Sequence, residues 1–251
     1  MNQKQPLLGI LGGLGPMSTV YFYELLTAHT KASSDADHLD LLISSRATTP
    51  DRTAFILGRS QNDPLPVMIE EAKRLERAGA ELLVIPCNTA HYFYDGLKKS
   101  CQLPILNIIE ETVAHLHRNG IQKFGLLATA GTVASGSYDR VCQRYGIECI
   151  TPTPGDQETV TSIIYESIKQ NKPVDRARLM QIADKLIALG CQRLVLGCTE
   201  LSLLNRDNGL DPSIFVDSLE VLAWRTIVAC HKEPIGFSAD FDVGKTDGEG
   251  Q

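Results

Sequence analysis

Gly79-Ala-Glu-Leu-Leu-Val-Ile-Pro-Cys87 and Gly190-Cys-Gln-Arg-Leu-Val-Leu-Gly-Cys198 read as the same piece of chain written twice. Each starts on a helix-ending glycine, runs through a short apolar strand and delivers a cysteine eight residues later. The two cysteines stand 111 residues apart, and a second match, Gly9-Ile-Leu-Gly-Gly-Leu-Gly15 with Gly125-Leu-Leu-Ala-Thr-Ala-Gly131, is offset by 116. Near-equal offsets imply two structurally similar halves. Each half has a glycine-containing loop after its first strand and a cysteine after a later one.

Working outward, short apolar runs alternate with helical patterns. Strands are expected at Leu7 to Leu11, Leu39 to Ser44, Leu82 to Pro86, Ile105 to Ile109, Lys123 to Ala128, Glu148 to Ile150 and Arg193 to Leu196. Helices are expected at Ser18 to Thr30, with Val20, Tyr23 and Leu26/Thr27 on one face, and at Pro66 to Ala78, with Ile69, Ala72 and Leu75 at helical spacing. Further helices are expected at Ser137 to Tyr145, Thr159 to Gln170 and Arg176 to Leu189, and Gly244 to Gln251 is expected to fray. Strand, loop and helix in succession give an α/β protein with parallel sheets covered on both faces.

With 251 residues, 43% hydrophobic and 22% charged, the chain has the composition of a globular protein, which excludes disorder, collagen and coiled coil. The net charge is −6, and no basic stripe interleaved with aromatics suggests a nucleic-acid partner. Apolar runs such as Leu82 to Pro86 fall far short of the roughly 20 residues that span a membrane. Met1 to Gln5 is polar and leads into a strand without a secretory h-region, so a cytoplasmic location is expected. Seven cysteines, an odd number, do not suggest a disulfide framework, and no C-x-x-C pair suggests a zinc knuckle.

Ligands of open parallel sheets bind beyond the carboxyl ends of strands, where Cys87 and Cys198 fall. At a strand-to-helix turn the helix dipole and unpaired N–H groups favour thiolate, and both thiols are expected to move toward neutrality. Two sulfurs on opposite sides of one cleft would suit a reaction in which one face of a carbon loses a proton and the other gains one. The plain alternative is packing, and Cys101, Cys142, Cys149, Cys191 and Cys230 are read that way. Gly13-x-Gly15-x-x-Ser18 falls one residue short of a dinucleotide fingerprint. Pro16 removes a donor there, so a carboxylate-sized anion held by backbone N–H groups fits better. His91, four residues after Cys87, is a helix-capping or thiol-tuning histidine rather than half of a metal site. Glu200 is either an acid–base partner of Cys198 or an N-terminal helix acid.

At Gly12-Gly13-Leu14-Gly15-Pro16, Pro50-Asp51-Arg52-Thr53, Pro86-Cys87-Asn88-Thr89-Ala90-His91 and Gly197-Cys198-Thr199-Glu200 the chain resembles the cofactor-independent aspartate/glutamate racemase superfamily. It is most similar to the aspartate racemase branch. The similarity runs from about Leu7 to Cys230 and includes Ala128-Thr129 and Gly131-Thr132. The resemblance implies two pseudo-symmetric α/β domains with the active site between them, and one catalytic cysteine from each, Cys87 and Cys198. It implies no cofactor and no metal. It also implies that Arg52, and Lys169 after Ile164-Tyr165-Glu166, recognise the substrate side chain. The alternatives are a loop salt bridge of Arg52 with Asp51 and a helix C-terminal charge for Lys169. Met17, Asn88, Thr89, Thr129, Thr132 and Thr199 complete the expected substrate-binding set, the asparagine and threonines through backbone N–H groups and hydroxyls at the α-carboxylate.

The expected division puts residues 1–111 and 215–251 in the Cys87 domain and 112–214 in the Cys198 domain. Glutamate racemases proper usually open with an Asp-Ser-Gly type loop and carry a histidine after the second Cys-Thr. Here Leu11-Gly12-Gly13 and Glu200 stand in those places. The expected partners are a small acidic amino acid, aspartate first, and a second copy of the chain in a homodimer, with no nucleic acid and no membrane. A relative with other chemistry (hydantoin racemase, maleate isomerase, arylmalonate decarboxylase) and a non-catalytic acidic-amino-acid binding protein stay open.

Overall fold

The computed structural model describes residues 4–241, and the expected fraying of 244–251 lies outside them. Among the described residues the strands are β1 Leu8–Gly12, β2 Leu41–Ser45, β3 Leu82–Val84, β4 Ile105–Leu106, β5 Lys123–Leu127, β6 Glu148–Ile150, β7 Arg193–Leu196 and β8 Phe215–Asp217. The α-helices are α1 Pro16–His29, α2 Arg52–Ile56, α3 Leu65–Arg77, α4 Tyr94–Ser100, α5 Ile108–Arg118 and α6 Ala130–Ala134. They continue with α7 Ser137–Tyr145, α8 Pro154–Ser162, α9 Arg176–Ala188, α10 Thr199–Asn208 and α11 Ser218–Ala229. None is long and apolar enough to cross a membrane.

Two four-stranded parallel sheets have the same strand order, β2-β1-β3-β4 and β6-β5-β7-β8. The repeat read from the sequence is therefore a repeat of topology. Strands β1 and β3 are buried along their whole length, as continuous apolar runs covered on both faces must be. Even the glycines correspond. A Cβ on Gly9 would come within 2.7 Å of Leu83 Cδ2, and one on Gly125 within 2.7 Å of Leu194 Cδ2, so each first strand packs equally closely on the third. The two sheets share a central core in which Leu8, Ile10 and Phe22 meet Phe124, Leu126 and Tyr138, with α5 and α11 contributing Val113 and Leu222. Separate clusters around Met68 and Leu83, and around Leu186 and Leu194, cover the outer faces.

Three expectations need correction. Ile105 to Ile109 is a strand for two residues only: the Asn107 side chain accepts from the Ile109 and Glu110 N–H groups and starts α5. In α1 the expected face splits: Leu26 is buried, but Val20 and Tyr23 lie on the outside. Val20 and Tyr23 are 55% and 46% exposed, while Tyr21, Phe22, Leu25 and Leu26 are buried. This helix is apolar on several sides, and packing rather than periodicity chose the face. The segment Thr159 to Gln170 is not one α-helix: α8 ends at Ser162 and continues as a π turn, Ile163–Ser167, and a 3-10 turn, Ile168–Gln170. As for the division of the chain, β8 pairs with β7 in the second sheet, although residue 215 was expected to open the return to the first half. Helix α11 then packs against α1 and α5.

Candidate active site

The carboxyl ends of the central strands face one another across the two halves. Cys87 and Cys198 come after β3 and β7, and Thr129 comes after β5. Both cysteines line one small cavity of about 10 Å³, together with Arg52, Thr89, Thr129, Lys169, Thr199 and Glu200. That is room for about one water. The two cysteines are 6% and 4% exposed.

Each thiol sits where a backbone N–H can reach it, that of Ala90 for Cys87 and that of Glu200 for Cys198. The expected downward drift of the thiols is nevertheless overturned. Burial pushes the Cys87 thiol up, against the pull of the Arg52 guanidinium. Burial pushes the Cys198 thiol up further, and the Glu200 carboxylate adds to the effect. The Cys198 Sγ–H donates to Glu200 Oε2 at 2.9 Å, while Lys169 Nζ donates to Glu200 Oε1 at 2.5 Å. Burial alone would depress the Lys169 ammonium, yet Glu200 and Cys198 beside it hold it above the ordinary lysine value.

Gly15 makes this arrangement possible. It has φ 117°, and a Cβ there would stand 2.8 Å from Glu200 Oε1, so only glycine lets the carboxylate approach the loop.

A cluster of hydroxyls crosses between the halves. Thr89 Oγ1 bonds to Thr129 Oγ1 at 3.0 Å and to Thr132 Oγ1 at 2.9 Å, and Thr53 donates to Thr129 at 3.3 Å. The Asn88 side chain is committed elsewhere: Tyr138 OH donates to its Oδ1 and its Nδ2 donates to Ser218 Oγ, leaving its backbone for a ligand. Arg52 is 8% exposed, and its Nη1 donates to the Thr49 and Pro50 carbonyls. Its Nε is buried without a partner. Asp51 does not pair with it. That carboxylate caps α2 through the Ala54 N–H.

His91 holds backbone. Its Nε2 accepts from the Ile108 N–H at 3.3 Å, which leaves Nδ1–H to donate to the Cys87 carbonyl at 2.9 Å. Burial lowers its pKa from 6.5 to about 4, so the ring is neutral and acts on Cys87 by positioning it. Among the described residues no group of three or more His, Cys, Asp or Glu side chains is placed to hold a metal ion.

Of the residues singled out in the sequence, Cys87, Cys198, Arg52, Asn88, Thr89, Thr129, Lys169, Thr199 and Glu200 are brought together around the cavity. Thr132 stands behind it, bonded to Thr89. Met17 does not line it. Its side chain is 55% exposed and faces a larger neighbouring cavity. Leu14, Asp51, Thr53 and Tyr165 line the small cavity and were not singled out. All four belong to the quoted loop, Pro-Asp-Arg-Thr and Ile-Tyr-Glu segments, so adjacency was the available signal.

The model of the Asp/Glu/Hydantoin racemase family matches residues 11–226. The broad specificity amino-acid racemase RacX of Bacillus subtilis is 28% identical over 227 residues, which cover 88% of this chain and 96% of that relative. The solved aspartate racemase of Picrophilus torridus aligns with a TM-score of 0.78 at 28% identity, covering 95% of this chain and 98% of that one. An aspartate racemase homologue from Pyrococcus horikoshii OT3 aligns with a TM-score of 0.72 at 25% identity, covering 90% and 99%. A match over most of the length, with the same two-domain fold, makes this chain an isomerase that belongs to the Asp/Glu/Hydantoin racemase family.

Proposed function

We propose that the chain interconverts the L and D forms of an acidic amino acid, aspartate first, by proton transfer between Cα and two cysteines. One observation carries the reading: cysteines from matching positions of the internal repeat line one cavity with an arginine and a lysine. One thiolate removes the Cα proton, and the other thiol delivers a proton to the opposite face. The roles exchange for the other enantiomer, which is why the site needs the same residue twice.

The Cα–H of an amino-acid anion is a very weak acid, so charge developing on the α-carboxylate needs donors. Backbone N–H groups at Asn88, Thr89 and Thr199 and the hydroxyls of the threonine cluster supply them. The unpartnered Arg52 Nε gives a distal carboxylate a two-pronged partner when an Nη joins it. Lys169 adds a point charge that draws an anionic ligand into a chain of net charge −6. A cavity of about 10 Å³ has to widen for any amino acid, so either the halves part at the threonine cluster or the Lys169–Glu200 contact within the second half opens.

The test is exchange of the Cα proton of L-aspartate in D₂O, monitored by NMR and polarimetry. Deuterium incorporation with loss of optical rotation is expected, and binding without either would favour a non-catalytic amino-acid binding protein. Cys87→Ser and Cys198→Ser should each abolish racemisation with the circular dichroism spectrum unchanged; full activity in either variant removes that cysteine from the mechanism. Arg52→Ala should harm aspartate more than alanine, and equal losses would remove its side-chain role.

A further inference from the structure

Glu200 does two things at once in the pocket. Its Oε1 holds Lys169 Nζ at 2.5 Å, and its Oε2 accepts the Cys198 Sγ–H at 2.9 Å. Lys169 and Glu200 both line the small cavity, and both also line an outer cavity of about 780 Å³. The outer cavity opens between the start of α1 and residues 168–176. Their ion pair thus borders both spaces. Lys169 rides on the 3-10 turn that succeeds the π turn, a segment whose backbone bonding is less regular than that of an α-helix and which ends at Asn171 with φ 54°. The outer cavity is lined by cations, Lys172, Arg176 and Arg206 beside Lys169, which suits it to an arriving anion.

We propose that Glu200 is an internal stand-in for the substrate's distal carboxylate. A dicarboxylic amino acid draws Lys169 onto its own side chain, and Glu200, left with Cys198 alone, becomes the acceptor of that thiol's proton. The proposal rests on the reading of the chain as an acidic-amino-acid racemase and adds to it a reason for selectivity.

The step is a single proton transfer. The S–H bond of Cys198 breaks, an O–H bond forms at Glu200, and the thiolate keeps the electron pair; the reverse step restores the thiol. The cation occupies Glu200 Oε1 at 2.5 Å, and once it leaves, the Cys198 thiol on Oε2 is the partner that stays with the carboxylate. The transfer moves one negative charge from oxygen to sulfur and creates no additional buried charge, so it escapes the cost of ionising a second group in a dry site. A substrate without a second carboxylate leaves Lys169 on Glu200 and Cys198 protonated. Selection for dicarboxylates then shows in kcat as well as in KM.

The experiment uses succinate, which carries both carboxylates but no Cα proton to exchange, as the calorimetric binding probe. Glu200→Gln removes the internal competitor and should tighten succinate by about tenfold, the order of one charge-assisted hydrogen bond. In a Lys169→Met background most of that gain should vanish. In D₂O exchange, Glu200→Gln should lower kcat for aspartate by about 100-fold. For asparagine, which never frees the base, it should change kcat little. Lys169→Met carries the same test if Glu200→Gln does not fold, because it should bring the two kcat values together. Equal losses on both substrates, or no tightening of succinate by a wild-type enzyme that does exchange aspartate, would overturn the proposal alone. A folded wild-type chain that neither binds succinate nor exchanges any amino acid would overturn the functional reading beneath it.

Discussion

Replacing His91 by Gln separates two roles the histidine could have beside Cys87. In the structure the ring is 4% exposed and bridges the Ile108 N–H and the Cys87 carbonyl, with a pKa lowered from 6.5 to about 4 by burial. A base whose folded pKa is depressed contributes stability that is present above its unfolded pKa and is lost as pH falls through the folded one. Between 6.5 and about 4 the unfolded chain binds a proton that the native chain refuses. Complete titration is worth about 3 kcal/mol, of which about 2 kcal/mol falls between pH 7 and pH 5.

Glutamine does not titrate. It should lower stability at pH 7 by about 1–3 kcal/mol through imperfect satisfaction of two buried backbone groups. The wild-type advantage should then shrink by about 2 kcal/mol at pH 5. Urea unfolding at the two pH values, extrapolated to water, measures both differences. Other groups titrate in both proteins and cancel in the comparison. A wild-type advantage that stays constant or grows at pH 5 would mean that the ring is protonated in the fold and acts on Cys87 as a cation, and the tautomer deduced from the two hydrogen bonds would be wrong.

The site geometry sets two further outcomes. Gly15→Ala places a Cβ 2.8 Å from Glu200 Oε1 at φ 117°, and should cost about 1–3 kcal/mol of stability and most of the exchange activity. Gly58→Ala, at φ 68° with nothing within 4 Å, should show strain in thermal unfolding while activity persists, and matching activity losses would refute the Glu200 contact as the cause. Because burial raises both thiols, the thiolate fraction grows with pH, so kcat/KM for aspartate exchange should still be climbing at about pH 9. A plateau below neutrality would show that the open site does not share these surroundings.

The sheets and the cysteines were legible because they obey local rules. A fully buried parallel strand must be a continuous apolar run, and the turn beyond its carboxyl end lies at the ligand crevice, so β3 with Cys87 and β7 with Cys198 could be placed from the sequence. The face of α1 was not legible: Val20 and Tyr23 satisfy the same period as Phe22 and Leu25, and only the sheet beneath decides between them. Nor was the Lys169–Glu200 contact. These residues are 31 apart, and each alone reads as an ordinary helix-end charge. They meet because an irregular π and 3-10 segment turns Lys169 toward the first turn of α10, and no periodicity encodes that turn. The neighbours of Arg52 show the same limit. Asp51 looks like its partner in sequence, yet the carboxylate is taken by the α2 N-terminus, which leaves the guanidinium for the cavity.

Repetition supplies two thiols, but the charges around them are not repeated, and the proposed reaction depends on both facts. Burial pushes the Cys87 thiol up, but its principal charged neighbour, Arg52, opposes that push. Cys198 donates to a carboxylate and rests as a thiol. A two-base exchange needs one base and one acid at the start of either direction, and the unequal surroundings make Cys87 the easier of the two thiols to ionise. A symmetric pair would have to hold two buried thiolates or two thiols, one repulsive and the other unreactive. Turning the reaction round requires the pair to swap states. Of these two cysteines, Cys198 alone has a carboxylate within hydrogen-bond reach of its sulfur among the described residues, which is why the proposal routes its half of the swap through Glu200. In the proposed reaction the matching places of Cys87 and Cys198 after β3 and β7 would set where protons come and go, and the unmatched Arg52 and Glu200 would make the two thiols unequal partners.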